Sequence, residues 1–237
     1  MAKRTRRYKR YGKRYRRRRS THKGGQQALP SFHILIVTAG RPSLRDMLDS
    51  LKPELEPADA VTIVFDGPDA RSASGYTPSW LEGFKAQVTA IDDAKVGFWG
   101  HPHRNKYQGR LSPTTTYIMN ADDDDTYNKG SFNKLRSACI DPDTLYIGKM
   151  EYVGHPDLII PREPNIAVKN IGTPNGIIPF NMASKGEWGI SYQGDFHYYN
   201  MLKDHVKHIA YLDIIFYRVN RSHHNSEAAP PATPPPS

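Results

Sequence analysis

The run Asp122-Asp123-Asp124-Asp125 places four carboxylates in succession, and Asn120-Ala121 joins it to the apolar Tyr117-Ile118-Met119. Like charges this close repel, and beside buried apolar residues they cost stability unless a cation offsets them. Hard divalent ions take oxygen ligands, and Mg2+ or Mn2+ is commonly held by one or two carboxylates together with substrate phosphates. The bland alternative is a solvated acidic turn, the usual fate of a charge run. Position argues for the metal site. The run lies where a strand ends, and two other polar breaks, Thr38-Ala39-Gly40-Arg41-Pro42 and Asp66-Gly67-Pro68, also follow apolar runs.

The elements that must hold these breaks together can be read from periodicity. Phe32 to Val37 and Ala60 to Phe65 are short β-branched runs of the kind buried on both faces of a parallel sheet. Between them Leu44, Met47, Leu48 and Leu51 recur at helical spacing, with Ser43 and Asp46 as a capping-box pair and Pro53 as the stop. A helix around Trp80 to Val88 is expected next, then a strand at Tyr117 to Met119 and a helix over Asn128 to Ile140. The second half is less regular. It offers strands at Thr144 to Val153, Leu158 to Ile160 and Ile177 to Phe180, a helix over Gly194 to Val206, and a late strand at Ala210 to Val219. This alternation predicts the α/β class, a mainly parallel central sheet flanked by helices. Ligands of such sheets bind beyond the carboxyl ends of the strands. All three polar breaks converge there.

The ends of the chain differ from this body. Thirteen of the 33 Lys and Arg lie in the first 23 residues with no Asp or Glu among them, so the formal +9 of the 237-residue chain leaves −4 for the rest. Residues 1–30 are expected to be a disordered basic arm, 31–226 the folded domain and 227–237 a Pro- and Ala-rich tail. Tyr8, Tyr11 and Tyr15 interleave with the cations, a composition that neutralises phosphates and stacks on unpaired bases. It resembles the nucleic-acid-binding arms of small DNA-virus capsid proteins, and equally suits a nuclear address or an anionic membrane surface. The single cysteine, Cys139, excludes an internal disulfide or a thiolate zinc site, and no apolar stretch reaches the roughly 20 residues of a membrane span. A cytoplasmic location is expected, the host cytoplasm if the chain is viral.

With these residues in order, Asp122-Asp123-Asp124-Asp125-Thr126-Tyr127 resembles the Asp-X-Asp-Asp-X-aromatic motif of GT-A fold glycosyltransferases, family 2-like enzymes in particular. In that family the motif binds a divalent ion bridging the pyrophosphate of a nucleotide sugar. The resemblance puts Asp122 near the donor ribose or sugar and Asp124 on the metal, and a register one residue earlier stays open. The Val37 to Pro42 segment is similar to the family's first-strand loop, which places Thr38 and Arg41 beside the nucleotide. Asp66 falls where the family contacts the base, although Asp-Gly is also a common turn dipeptide. His103-Arg104-Asn105 is similar to an Ala-Arg-Asn segment of the family, adding Arg104 to the donor side.

In the second half, Trp188 to Asp195 resembles the family's acceptor segment with its catalytic acid residue. Inverting transfer needs a base for the acceptor hydroxyl, and Asp195 is the candidate, whether or not it also caps the helix after it. Trp188 and Tyr192 are candidates to stack on acceptor rings. His224, or else His223, is the candidate histidine completing the metal shell, with His197 a third near the base. The resemblance thus implies a metal-dependent inverting glycosyltransferase that uses Mn2+ or Mg2+. Its donor would be a nucleotide-diphosphate sugar, UDP-linked before GDP-linked, and its acceptor a glycan or glycoprotein. Two rivals remain. A capsid-like nucleic-acid-binding protein predicts an all-β body, and a nucleotidyltransferase predicts a Gly-rich phosphate loop after the first strand.

Overall fold

A computed structural model describes residues 29–111 and 114–220 of the chain. The basic arm, the Pro-rich tail and His223 and His224 therefore lie outside the described residues.

The first apolar run forms β1 (Phe32–Thr38) and every residue of it is buried. The helix that follows, α1 (Leu44–Leu51), turns Leu44, Met47, Leu48 and Leu51 into the core, as their spacing predicts. Its capping box does not form: Ser43 is already helical and its side chain makes no cap hydrogen bond. The chain enters through a tight turn instead, Leu44 N–H donating to the Arg41 carbonyl. The second run is β2 (Ala60–Asp66), followed by the short α2 (Ala70–Ala73). The helix expected around Trp80 to Val88 is absent. A 3-10 turn, Pro78–Leu81, gives way to β3 (Gln87–Asp93), which pairs in parallel with β2 from Ala60 opposite Gln87 to Asp66 opposite Asp93. Sheet pairing overrides the weak helical pattern of that segment.

A helix that the apolar pattern does not disclose, α3 (His101–Gln108), leads to β4 (Tyr117–Asp122). The acidic run turns into the two-residue β5 (Thr126–Tyr127), and α4 (Ser131–Ala138) carries Phe132, Leu135 and Arg136 inward. Then come β6 (Thr144–Tyr152), β7 (His155–Ile160), β8 (Gly176–Pro179), α5 (Gly194–Leu202) and β9 (His208–Val219).

The strands form one curled sheet in the order β3-β2-β1-β4-β8-β6-β9-β5, with β7 hydrogen-bonded to β6. From β3 to β4 all pairs are parallel, so Asp93, Asp66, Thr38 and Asp122 end on one edge. Beyond β4 the sheet is mixed, and β9 curls back to pair with β5 just after the acidic run. Two apolar clusters pack on opposite faces, Ile34, Ile36, Ile63 and Phe65 on the α1 side, and Leu35, Val37, Val64 and Ile118 on the other with Tyr198 and Tyr199. Cys139 is buried at the end of α4, as a small apolar residue. This is an α/β body rather than the all-β body of a capsid-like protein. Among the described residues no helix is long and apolar enough to cross a membrane.

Candidate active site

The four carboxylates of the run are unlike one another. Asp122, the last residue of β4, keeps 28% of its side chain exposed and accepts a 2.5 Å hydrogen bond from Arg104. The other three turn inward and are 3% exposed or less. Asp123 accepts from the Thr38 hydroxyl and, at 2.7 Å, from Arg41, which also lies 3.2 Å from Asp124. Asp125 accepts from the Asn220 N–H at 2.7 Å, and the Tyr217 hydroxyl bonds to it while accepting from the Asp122 N–H.

Two arginines therefore offset the charge that the sequence assigns to a metal ion. Burial does the remainder. It pushes the Asp123 carboxyl up to about 6 against the opposing pull of Arg41 and Thr38. Burial, with Asp122 and Asp124 nearby, raises Asp125 well above the usual carboxylate range.

Several residues expected at the donor are bonded within the protein in this structure. Thr38 is fully buried, and its hydroxyl bonds Asp123 while accepting from the Gly40 N–H at 3.0 Å. Asp66 is 7% exposed and its carboxylate is occupied internally. It accepts from the N–H groups of Val96 at 2.6 Å and Gly97 at 3.0 Å and pairs with His103 Nε2 at 2.9 Å. A base contact through that carboxylate is not offered in this conformation. Asp124 has no exposed side-chain surface behind Arg41, so the solvent-facing carboxylate of the run is Asp122 instead. Arg41 retains 21% exposure.

One helix ties these groups to the second half. Arg104, fully buried on α3, donates to the Trp99 carbonyl at 2.5 Å, the Ala121 carbonyl at 3.2 Å and Asp122. His101 donates through Nδ1 to the Gly189 carbonyl at 2.7 Å, and burial followed by Arg104 lowers its pKa to about 4. Asn105 bonds both backbone groups of Trp188, and Gln108 accepts from its indole at 3.1 Å. Trp188 is 1% exposed and stacked on Tyr198 at 4.3 Å between ring centroids. In this structure its faces are used in packing rather than presented to solvent. Tyr192, by contrast, is 83% exposed.

Asp195 lies in the first turn of α5, with Gln193 at the cap position, so it is not the helix cap. Burial raises its carboxyl to about 6, and the Asp122 charge pushes the same way against the Phe196 N–H and Arg104. Its neighbour Gly194 has to be glycine: a Cβ there would come within 2.3 Å of the Gly189 carbonyl and 2.4 Å of His101. His197 is exposed. Trp99, His101 and Gln108 are not marked by the sequence, and His103 and Asn105 enter it only as neighbours of Arg104. The only signal for α3 is a set of polar residues three and four apart, which reads as a solvated helix until its neighbours are known.

Among the described residues no group of three or more His, Cys, Asp or Glu side chains is arranged to hold a metal ion. Asp122 is the carboxylate of the run that keeps solvent access, which leaves room for a single protein oxygen ligand there.

No family model matches the sequence, and no curated protein matches it. Solved structures do. TarS 1–349 of S. aureus superposes with a TM-score of 0.62 at 17% identity, covering 80% of this chain and 60% of that one. The same protein in complex with UDP-GlcNAc gives 0.60 at 15% identity, over 84% and 62%. The mannosyltransferase PcManGT from Pyrobaculum calidifontis, in complex with GDP-Man and Mn2+, gives 0.51 at 15% identity, over 82% and 59%. The chain thus spans about 60% of the length of these structures. What they share with it is the fold, a mixed α/β architecture with a curled, mostly parallel sheet and flanking helices.

Proposed function

We propose that the chain is a metal-dependent glycosyltransferase of the GT-A type. It would move a sugar with inversion from a nucleotide-diphosphate donor, UDP-linked before GDP-linked, to a hydroxyl of a glycan or glycoprotein. One observation carries the reading. Asp122, the exposed carboxylate of the run, is held by the buried Arg104 at the strand edge where α/β sheets bind ligands. The shared fold adds support, since solved structures with that fold bind UDP-GlcNAc, or GDP-Man with Mn2+.

In this reading Asp122 would hold Mn2+ or Mg2+ together with the donor diphosphate, and Arg104 fixes the carboxylate in place. The ion would supply Lewis-acid relief of the charge on the departing diphosphate. Arg41 and Thr38 keep the acidic turn folded beside it, and Asp66 with His103 fixes the loop that leads into α3. Asp195 removes the acceptor hydroxyl proton as that oxygen bonds the anomeric carbon, while the bond from this carbon to the diphosphate oxygen breaks. Nucleoside diphosphate and glycosylated acceptor are the products. A base with a pKa near 6 is deprotonated at neutral pH yet basic enough to accept the proton. The basic arm is assigned to nucleic acid or an anionic surface, apart from the chemistry.

Calorimetric titration of the full chain with UDP and GDP, with and without Mn2+, tests the donor side. Release of nucleoside diphosphate from a panel of nucleotide sugars tests the reaction. Metal-dependent binding and release are expected, each weakened about tenfold or more in Asp122→Asn. A parent chain that neither binds a nucleotide with Mn2+ nor cleaves any donor sinks the reading.

A further inference from the structure

We propose that Trp99 and Tyr192 form an aromatic clamp for a pyranose ring of the acceptor at the mouth of this site. The inference rests on the transferase reading above and adds a residue that nothing in the sequence marks.

Trp99 is 39% exposed and Tyr192 83% exposed, and their rings meet edge to face with centroids 6.0 Å apart. Phe98 and Ile190, from the same two segments, are exposed as well. The loop that presents Trp99 is strained. Gly97, Phe98, Trp99 and Gly100 have φ of 66°, 51°, 53° and 72°, four successive residues with positive φ. Glycine adopts that region freely, but a bulky aromatic residue there is an outlier. Such strain persists where the surroundings over-determine it, and it gathers at ligand sites.

Here the surroundings are the site itself. Asp66 holds the loop entry at Val96 and Gly97, and Arg104 holds the Trp99 carbonyl with the guanidinium that also holds Asp122. On the opposite wall, His101 and Asn105 pin Gly189 and Trp188, fixing the start of the segment that carries Tyr192 towards Asp195. Trp99 is thus fixed to the donor carboxylate and Tyr192 to the proposed base.

The chemistry of the rim selects the occupant. Two rings meeting at right angles offer a small apolar corner, and exposed Ser191 and Gln193 flank it with Asp195 beyond. A pyranose has an apolar C–H face and a hydroxyl edge, and it satisfies both halves of such a rim. A lipid tail would leave the polar half unmatched.

The test uses the full chain with cellotriose, maltotriose, mannotriose and N-acetylchitotriose as probes. Binding is followed by saturation-transfer NMR and tryptophan fluorescence, with UDP and Mn2+ titrated in parallel. At least one trisaccharide is expected to bind with saturation at its ring C–H protons. Trp99→Ala and Tyr192→Ala should each weaken it about tenfold, Trp99→Phe by about threefold or less, with UDP affinity unchanged. No trisaccharide binding to the parent, or equal binding by both alanine variants, overturns the clamp. UDP binding without any trisaccharide binding overturns the clamp and leaves the transferase reading standing. Trisaccharide binding through Trp99 with no UDP binding does the reverse.

Discussion

Asp195 carries opposite consequences for activity and for stability. Its carboxyl is raised to about 6, above its ordinary 3.8, chiefly by burial. A group raised on folding contributes stability that is complete below the unfolded pKa and is lost as pH rises through the folded one. Asp195→Asn is therefore expected to melt a few degrees higher than the parent at pH 7.5, on the order of 2–4 °C, with the difference gone by about pH 4. Turnover should fall about a hundredfold or more in the same variant. In the parent the rate should decline as pH falls through about 6, because protonation removes the base. Calorimetric melting and a pH–rate profile check both expectations. A melting gain that persisted at pH 4 would show that some other property of the site is responsible.

Arg104 is the second residue on which much depends, since one buried guanidinium serves Trp99, Ala121 and Asp122. Lysine is a point charge without the planar fork, so it cannot hold all three. Arg104→Lys is expected to lower kcat/KM about tenfold or more while the fold survives, read by donor turnover and far-UV circular dichroism.

At the scale of elements, α4 is held from a distance. The Glu54 carboxylate, in the turn after α1, accepts from the N–H groups of Gly130 at 2.6 Å and Phe132 at 3.0 Å. A carboxylate at a helix start satisfies donors that the helix leaves open and complements its dipole. Glu54→Ala should cost about 1–3 kcal/mol in urea unfolding, with an unchanged slope against denaturant. The buried Arg136–Asp59 pair braces the same region, and Asp59 also accepts from the Phe32 N–H at the start of β1. The element with the widest reach is α3, because its residues bond the end of β4 and the Trp188–Gly189 segment alike. Gly100, at its start, has φ of 72° and would bring a Cβ within 2.5 Å of Val37, so Gly100→Ala should displace α3 and both walls of the site with it.

Over the whole molecule, charge and chemistry are separated along the chain. Thirteen cations occupy the first 23 residues, and the rest of the chain is net acidic. Deleting residues 1–23 should leave Mn2+-dependent nucleotide binding unchanged. It should also flatten the salt dependence of binding to single-stranded nucleic acid, since each phosphate contact contributes roughly 0.7 to that slope. Filter binding across a salt series measures this. A truncation that abolished nucleotide binding would join the arm to the site.

Much of this plan was legible in the residues. The apolar runs marked β1, β2 and β4, and the breaks after them located the edge where the strands end, because a strand buried on both faces reads as a continuous apolar run. The spacing of Leu44, Met47, Leu48 and Leu51 likewise assigned the buried face of α1. Of the residues singled out in the sequence, Thr38 and Arg41 share Asp123, and Arg104 bonds Asp122. What only the tertiary structure decided is which of them face outward. Thr38, Asp66 and Asp124 turn in and Asp122 turns out, Trp188 is packed and Trp99 is presented, and β3 replaces an expected helix. The physical reason is the same in each case. Exposure and hydrogen-bond partnership belong to groups brought together from distant parts of the chain, such as Asp66 with His103 or Arg104 with Asp122. No local period encodes them.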